Sequence, residues 1–170
     1  MSIIIVGNGT SILDNENGSR IDAFETVLRF NSFKIKDYEK HTGIKTNIWF
    51  TVNKAHKDKI HEFDEVIVHS WEWIEEKCDI YQKLSAIRDC KKTTKDFVNR
   101  AVPTFSPSSG LIAIYMMLDR YEKVCITGFD WWDREKHHYG DKEVRGTLHK
   151  PQKEFEVIQE LIKRQRIYFL

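Results

Sequence analysis

The sequence predicts an α/β fold: one Rossmann-like domain in which helices flank a mostly parallel sheet. Three observations point there. Ser2-Ile-Ile-Ile-Val-Gly7 and Lys123-Val-Cys-Ile-Thr-Gly128 are continuous apolar runs of strand length ending in glycine, the pattern of strands buried on both faces. Such runs alternate with segments at helical spacing, which places helices on both sides of a parallel sheet. The 170 residues, 41% hydrophobic and 31% charged, suffice for one full core and not for two. No repeat or linker divides 1–170.

Taken in order, the first strand spans Ser2–Gly7, the second Glu25–Phe30 and the third Thr46–Val52. Val66-Ile-Val-His69 is the fourth, followed by a helix from about Trp71 to Lys91. Val102–Phe105 reads as a short extended piece. Ser109–Asp119 is apolar nearly all round, as a buried helix is. Lys123–Gly128 is the next buried strand. Phe129–Leu148 lacks periodicity and is rich in Trp, His, Asp and Gly, a pattern common in functional loops. Pro151–Arg164 carries Phe155, Ile158, Leu161 and Ile162 at helical spacing, and Arg166–Leu170 closes the chain as a strand.

A net charge of +1 leaves no excess of Lys and Arg to neutralise phosphates, so nucleic acid is not expected as a partner. No apolar run reaches transmembrane length, and the N-terminus lacks a basic leader. Cys78, Cys90 and Cys125 have neither metal nor redox spacing, which favours reduced thiols and a cytoplasmic setting. Cys125 lies inside a strand and reads as core.

Ligands of parallel sheets bind at the carboxyl ends of the strands. Asn8, Asn31 and Asn53 follow the first three strands, and a carboxamide offers donors and an acceptor without charge. Each alone reads as a turn former; three at one rim favour binding. Gly7-Asn8-Gly9-Thr10-Ser11 begins like a dinucleotide-binding turn, yet Ile12 replaces the third glycine and Asn31 stands where an acidic residue would hold a ribose. Both features argue against NAD. Ser108-Ser109-Gly110 opens the buried helix, where unpaired N–H groups suit an anion and where a serine also caps.

His149 stands two residues before Pro151, at the positive end of the last helix, where imidazolium is disfavoured. The neutral ring is the form a general base requires, and Glu154 is within reach to orient it. His137 and His138 read as exposed, and Tyr139 as a donor toward a leaving phosphate. His41, His56, His61 and His69 read as inert. Asp130 and Asp133 do not form an Asp-x-Asp metal motif, so no metal is expected. Trp131 and Trp132 read equally as a sugar platform or as packing.

Four segments in this order resemble those of the sialyltransferases, including compact bacterial members that act on lipooligosaccharide. Val6–Ser11 continued to Val27–Asn31 is similar to the large motif, and Pro107–Leu111 continued to Val124–Asp130 to the small motif. His137-His-Tyr139 is similar to the third motif, and His149 with Glu154 to the very short His-x4-Glu motif. The cysteine pair of the animal enzymes is absent, Ile3 standing in its first position, which favours a bacterial or viral setting. The chain is shorter than other family members, so a lid or membrane-associating tail is expected to be reduced.

The resemblance implies a GT-A-like variant of the fold. It implies an inverting, metal-independent transfer of sialic acid from a CMP-sugar donor to a hydroxyl of a glycan acceptor, with no cofactor. His149 would be the catalytic base, with Glu154 beside it, and Tyr139 with His138 would stabilise the departing phosphate. Asn8, Gly9, Ser11, Asn31 and Asn53 would hold the CMP part; Ser108, Ser109 and Gly110 would hold the cytidine or the sugar carboxylate. Peripheral membrane association and a homo-oligomer stand as further expectations. The alternatives are a transferase using another CMP-linked acidic sugar such as CMP-Kdo, a nucleotide-binding module without catalysis, and an NAD enzyme.

Overall fold

The computed structural model describes residues 1–69, 75–102, 106–131, 138–139 and 150–170, with backbone alone at 75–78. Among them, β1 (Ile3–Val6), β2 (Thr26–Phe30), β3 (Ile48–Thr51), β4 (Glu65–Val68), β5 (Lys91–Lys92), β6 (Val124–Thr127) and β7 (Ile167–Phe169) form one sheet. Its order is β5-β4-β3-β2-β1-β6-β7, and every neighbouring pair is parallel. The helices are α1 (Gly18–Asp22), α2 (Glu39–Thr42), α3 (Glu75–Ser85), α4 (Lys95–Ala101), α5 (Ser109–Leu118) and α6 (Pro151–Lys163), with 3₁₀ segments at Thr10–Asp14 and Lys57–Glu62. This is the Rossmann-like α/β arrangement the apolar runs predict.

Alternation along the strands divides the core. Ile3, Ile5, Leu28, Phe30, Ile48, Phe50 and Ile126 point to one face, where α4, α5 and α6 pack through Val98, Ile112, Met117 and Ile158. Ile4, Val6, Val27 and Cys125 point to the other, against Ile12 and Ile21 of the first connection. Trp49, Val66 and Val68 continue that face against Ile60 and Leu84. Each central strand therefore buries both sets of side chains, which is why its sequence does not alternate with polar residues.

From β1 to β5 the chain steps steadily toward one sheet edge. It then returns past β1, through α4 and α5 on the opposite face, to lay β6 beside β1. The strand order reverses between β1 and β6, and the crevice at their carboxyl ends is the natural ligand site of such a sheet.

Two segments depart from expectation. The helix expected over 71–91 is described as helix only at Glu75–Ser85, and Lys91 belongs to β5, paired with Ile67. α4 was not anticipated; the Thr94 hydroxyl caps it by accepting from Phe97 N. Val102, read as the start of an extended piece, caps the end of α4. Residues 103–105 lie outside the described residues, as does most of 129–148.

Candidate functional site

β1 and β6 meet at Gly7 and Gly128. Gly7 N donates to Thr127 O at 2.8 Å, and Gly9 N to Gly128 O at 2.8 Å. A Cβ on Gly7 would lie 2.2 Å from Gly128 O, so no side chain fits there. Gly128 itself has φ +69°, the left-handed region that glycine enters without strain. The tight seam leaves room above it, and a cavity of about 200 Å³ opens there.

Its floor is Gly7–Asn8–Gly9 and Gly128–Phe129–Asp130; its sides are Phe30–Asn31, Ser108–Gly110, Trp131, His138, Pro151 and Glu154. Asn8 Nδ2 donates to Phe30 O at 3.2 Å, which leaves its buried Oδ1 without a partner at the cavity. Asn31 adopts φ 49°, a conformation asparagine tolerates better than most residues. Its Oδ1 accepts Val52 N at 2.9 Å, tying the end of β2 to the end of β3.

α5 aims its N-terminus at this space. Ser108 caps it by accepting Leu111 N at 3.3 Å, and the first helical N–H groups, at Ser109 and Gly110, have no intrahelical acceptor. Gly110 sits where a Cβ would lie 2.8 Å from the Phe129 ring. α6 reaches the same wall from below. Glu154 is 4% exposed, and its carboxylate accepts Ser108 N at 2.6 Å and the Ser108 hydroxyl at 2.7 Å.

Several residues expected here are placed elsewhere. Asn53 does not line the cavity; its Oδ1 accepts Ala55 N at 3.0 Å, the two-residue turn its side chain favours. Two asparagines, not three, share the rim. Ser11 lines a separate cavity, and its backbone N–H donates to the Asp130 carboxylate. Tyr139 is 3% exposed and does not line the cavity; its hydroxyl donates to Lys34 O at 2.6 Å and its ring packs edge-on against Tyr38. Burial pushes its phenol pKa up, against an opposing pull from Arg29. His138 does line the cavity. His149, His137, Trp132 and Asp133 lie outside the described residues; His149 precedes the described helix start by two positions.

Asp130 is the residue that reading by motif undervalues. It is 8% exposed and accepts from Thr10 Oγ1 at 3.1 Å and Ser11 N at 3.2 Å, pinning the start of the 3₁₀ segment across the seam. Gly9 permits this approach, since a Cβ there would lie 2.5 Å from the Asp130 carboxylate carbon and would push the carboxylate aside. Arg29, fully buried beside Tyr139, donates to Lys45 O, Thr46 Oγ1 and Thr42 O. Desolvation lowers its pKa to about 10. An arginine inside an apolar strand run was the available signal for it.

The sequence model of Glycosyltransferase family 29 (sialyltransferase) matches residues 2–91, more than half of the chain. The chain belongs to this family. A rat CMP-N-acetylneuraminate-beta-1,4-galactoside alpha-2,3-sialyltransferase is 24% identical over 94% of the chain and 54% of the relative. A beta-1,6-galactosyltransferase of Arabidopsis thaliana is 24% identical over 95% of the chain and 50% of the relative. The human alpha-2,3-sialyltransferase of the same description as the rat one is 46% identical over 48 residues, 28% of this chain. The chain thus spans about half the length of the curated relatives it matches from end to end. A crystal structure of a mammalian sialyltransferase superposes with TM-score 0.75 at 20% identity, covering 99% of this chain and 68% of that one; it shares the fold.

In this family-29 chain, the segments resembling the large and small motifs are the two walls of one crevice. The first supplies β1, Asn8 and Asn31; the second supplies Ser108–Gly110 and the β6 end.

Proposed function

We propose that the chain transfers sialic acid from CMP-sialic acid to a hydroxyl of a glycan acceptor, with inversion and without a metal. One observation carries the reading: in a family-29 chain, the cavity at the strand-order reversal is lined by carboxamides and by the N-terminus of α5. Such groups bind an anionic, hydrogen-bonding ligand through preorganised donors.

In the reaction, the acceptor oxygen bonds to the anomeric carbon as the bond to the phosphate oxygen breaks. CMP departs as a weakly basic anion, so hydrogen bonds are enough to stabilise it and no strong acid is needed. The acceptor proton passes to His149, attached through Lys150 to the Pro151 that lines the cavity. Ser109 and Gly110 N–H groups, with Asn8 and Asn31, hold the donor; His138 faces the departing phosphate. Asp130 is already engaged by Thr10 and Ser11, which supports chemistry without a metal at that carboxylate.

A thermal-shift panel with CMP, CDP, UDP and NAD, followed by CMP release from CMP-sialic acid, tests the proposal. Selective stabilisation by CMP with release of CMP is the expected result; stabilisation by NAD alone overturns it. A relative named for galactosyl transfer makes donor identity the second arm, with CMP-Kdo and UDP-galactose run beside CMP-sialic acid.

A further inference from the structure

We propose that Glu154 is a positioning residue of the donor cavity, acting through Ser108 to hold the start of α5, an inference that rests on the reading above. The alternative role, orienting the His149 ring, is the one its place in the chain first suggests. Its hydrogen bonds to Ser108 give it a role at the other wall.

Both Glu154 oxygens meet Ser108. Oε1 accepts the backbone N–H at 2.6 Å, and Oε2 accepts the hydroxyl at 2.7 Å. The same Ser108 hydroxyl oxygen accepts Leu111 N. Its single proton is therefore engaged by Glu154 and one of its two lone pairs by the helix, so the Ser108 hydroxyl has no donor left for an anionic ligand and serves as a strut. Contact with the donor falls to Ser109 and Gly110, the next residues along.

The strut also fixes distance. Glu154 N closes the first turn of α6 on Lys150 O at 3.1 Å, while Gly110 is wedged against the Phe129 ring. The starts of α6 and α5 thus meet through one buried carboxylate, and Gly110 in turn packs on the ring that follows β6. At such close packing a shift of a few tenths of an ångström at Ser108 moves the Ser109 and Gly110 N–H groups off the ligand. A hydrogen-bonded charge at 4% exposure holds that geometry tightly.

The test uses the full chain, CMP-sialic acid turnover and CMP titration calorimetry. Glu154→Gln preserves shape and can still accept the Ser108 N–H, but its amide cannot accept the hydroxyl proton. Ser108→Ala removes the same bond from the other side. Each variant is expected to raise donor KM and CMP Kd roughly tenfold, with kcat little changed. The double variant is expected to be no weaker than Ser108→Ala alone, because Ser108→Ala already removes the hydroxyl bond that Glu154→Gln removes.

A fall in kcat with a displaced acid limb of its pH profile, at unchanged KM, would show Glu154 acting on the base and overturn the inference. So would fully additive losses. Wild-type chain that neither binds CMP nor releases it from CMP-sialic acid overturns the functional reading itself. That result is read before any variant is made, so the two failures are distinct.

Discussion

Gly7 and Gly128 face each other so closely that a Cβ on the first would sit 2.2 Å from the carbonyl oxygen of the second. The contact lets β1 and β6 converge and sets the floor of the cavity. Gly7→Ala has no side chain to move aside, only backbone. It is expected to cost at least about 2 kcal/mol, a fall in Tm of roughly 5 °C or more by thermal denaturation. A Tm within a degree of wild type would mean that the seam is looser than described.

Asp130 joins the end of β6 to the segment after β1 through Thr10 and Ser11. Asp130→Ala leaves a buried N–H and a hydroxyl unsatisfied, so a loss of about 1–3 kcal/mol is expected. Because Gly9 packs on the same carboxylate, CMP affinity should fall with stability. Asp130→Asn retains an acceptor and should recover most of both, as denaturant titration and calorimetry would show.

His56 packs edge-on or tilted among Phe33, Trp49 and Phe63, with Nε2 buried and unpartnered. Burial, reinforced by Lys59, pushes its pKa down to about 4 from 6.5. Between these values the unfolded chain binds the proton that the folded chain refuses, so stability falls as pH drops from about 6.5 toward 4. Tm measured across that window should decline in the wild type and decline less in His56→Phe. Parallel curves would remove His56 from the account of acid sensitivity.

The strands that form the centre of the sheet were legible because they are buried on both faces: Ile3–Val6 and Val124–Thr127 read as apolar throughout. β5 was not, since Lys91 and Lys92 carry no strand signal and are extended only through pairing with Ile67 and Val68. α1 and α2, of five and four residues, are too short to show a period. At the site, the reversal rule located Asn8, Asn31 and the α5 start. It did not reveal that Asn53 folds back on Ala55, or that Tyr139 turns to Lys34. Those outcomes depend on local side-chain geometry that spacing does not encode. Thr94 followed by Phe97, Val98 and Ala101 was the overlooked signature of α4.

In the proposed reaction, the His149 imidazole takes the acceptor proton. CMP release from CMP-sialic acid, with and without acceptor, should be measured for the wild type and for His149→Ala alongside CMP binding. The expected result is turnover reduced on the order of 10²–10⁴-fold with CMP affinity retained. Turnover unchanged in the variant would contradict the assignment of His149 as the base.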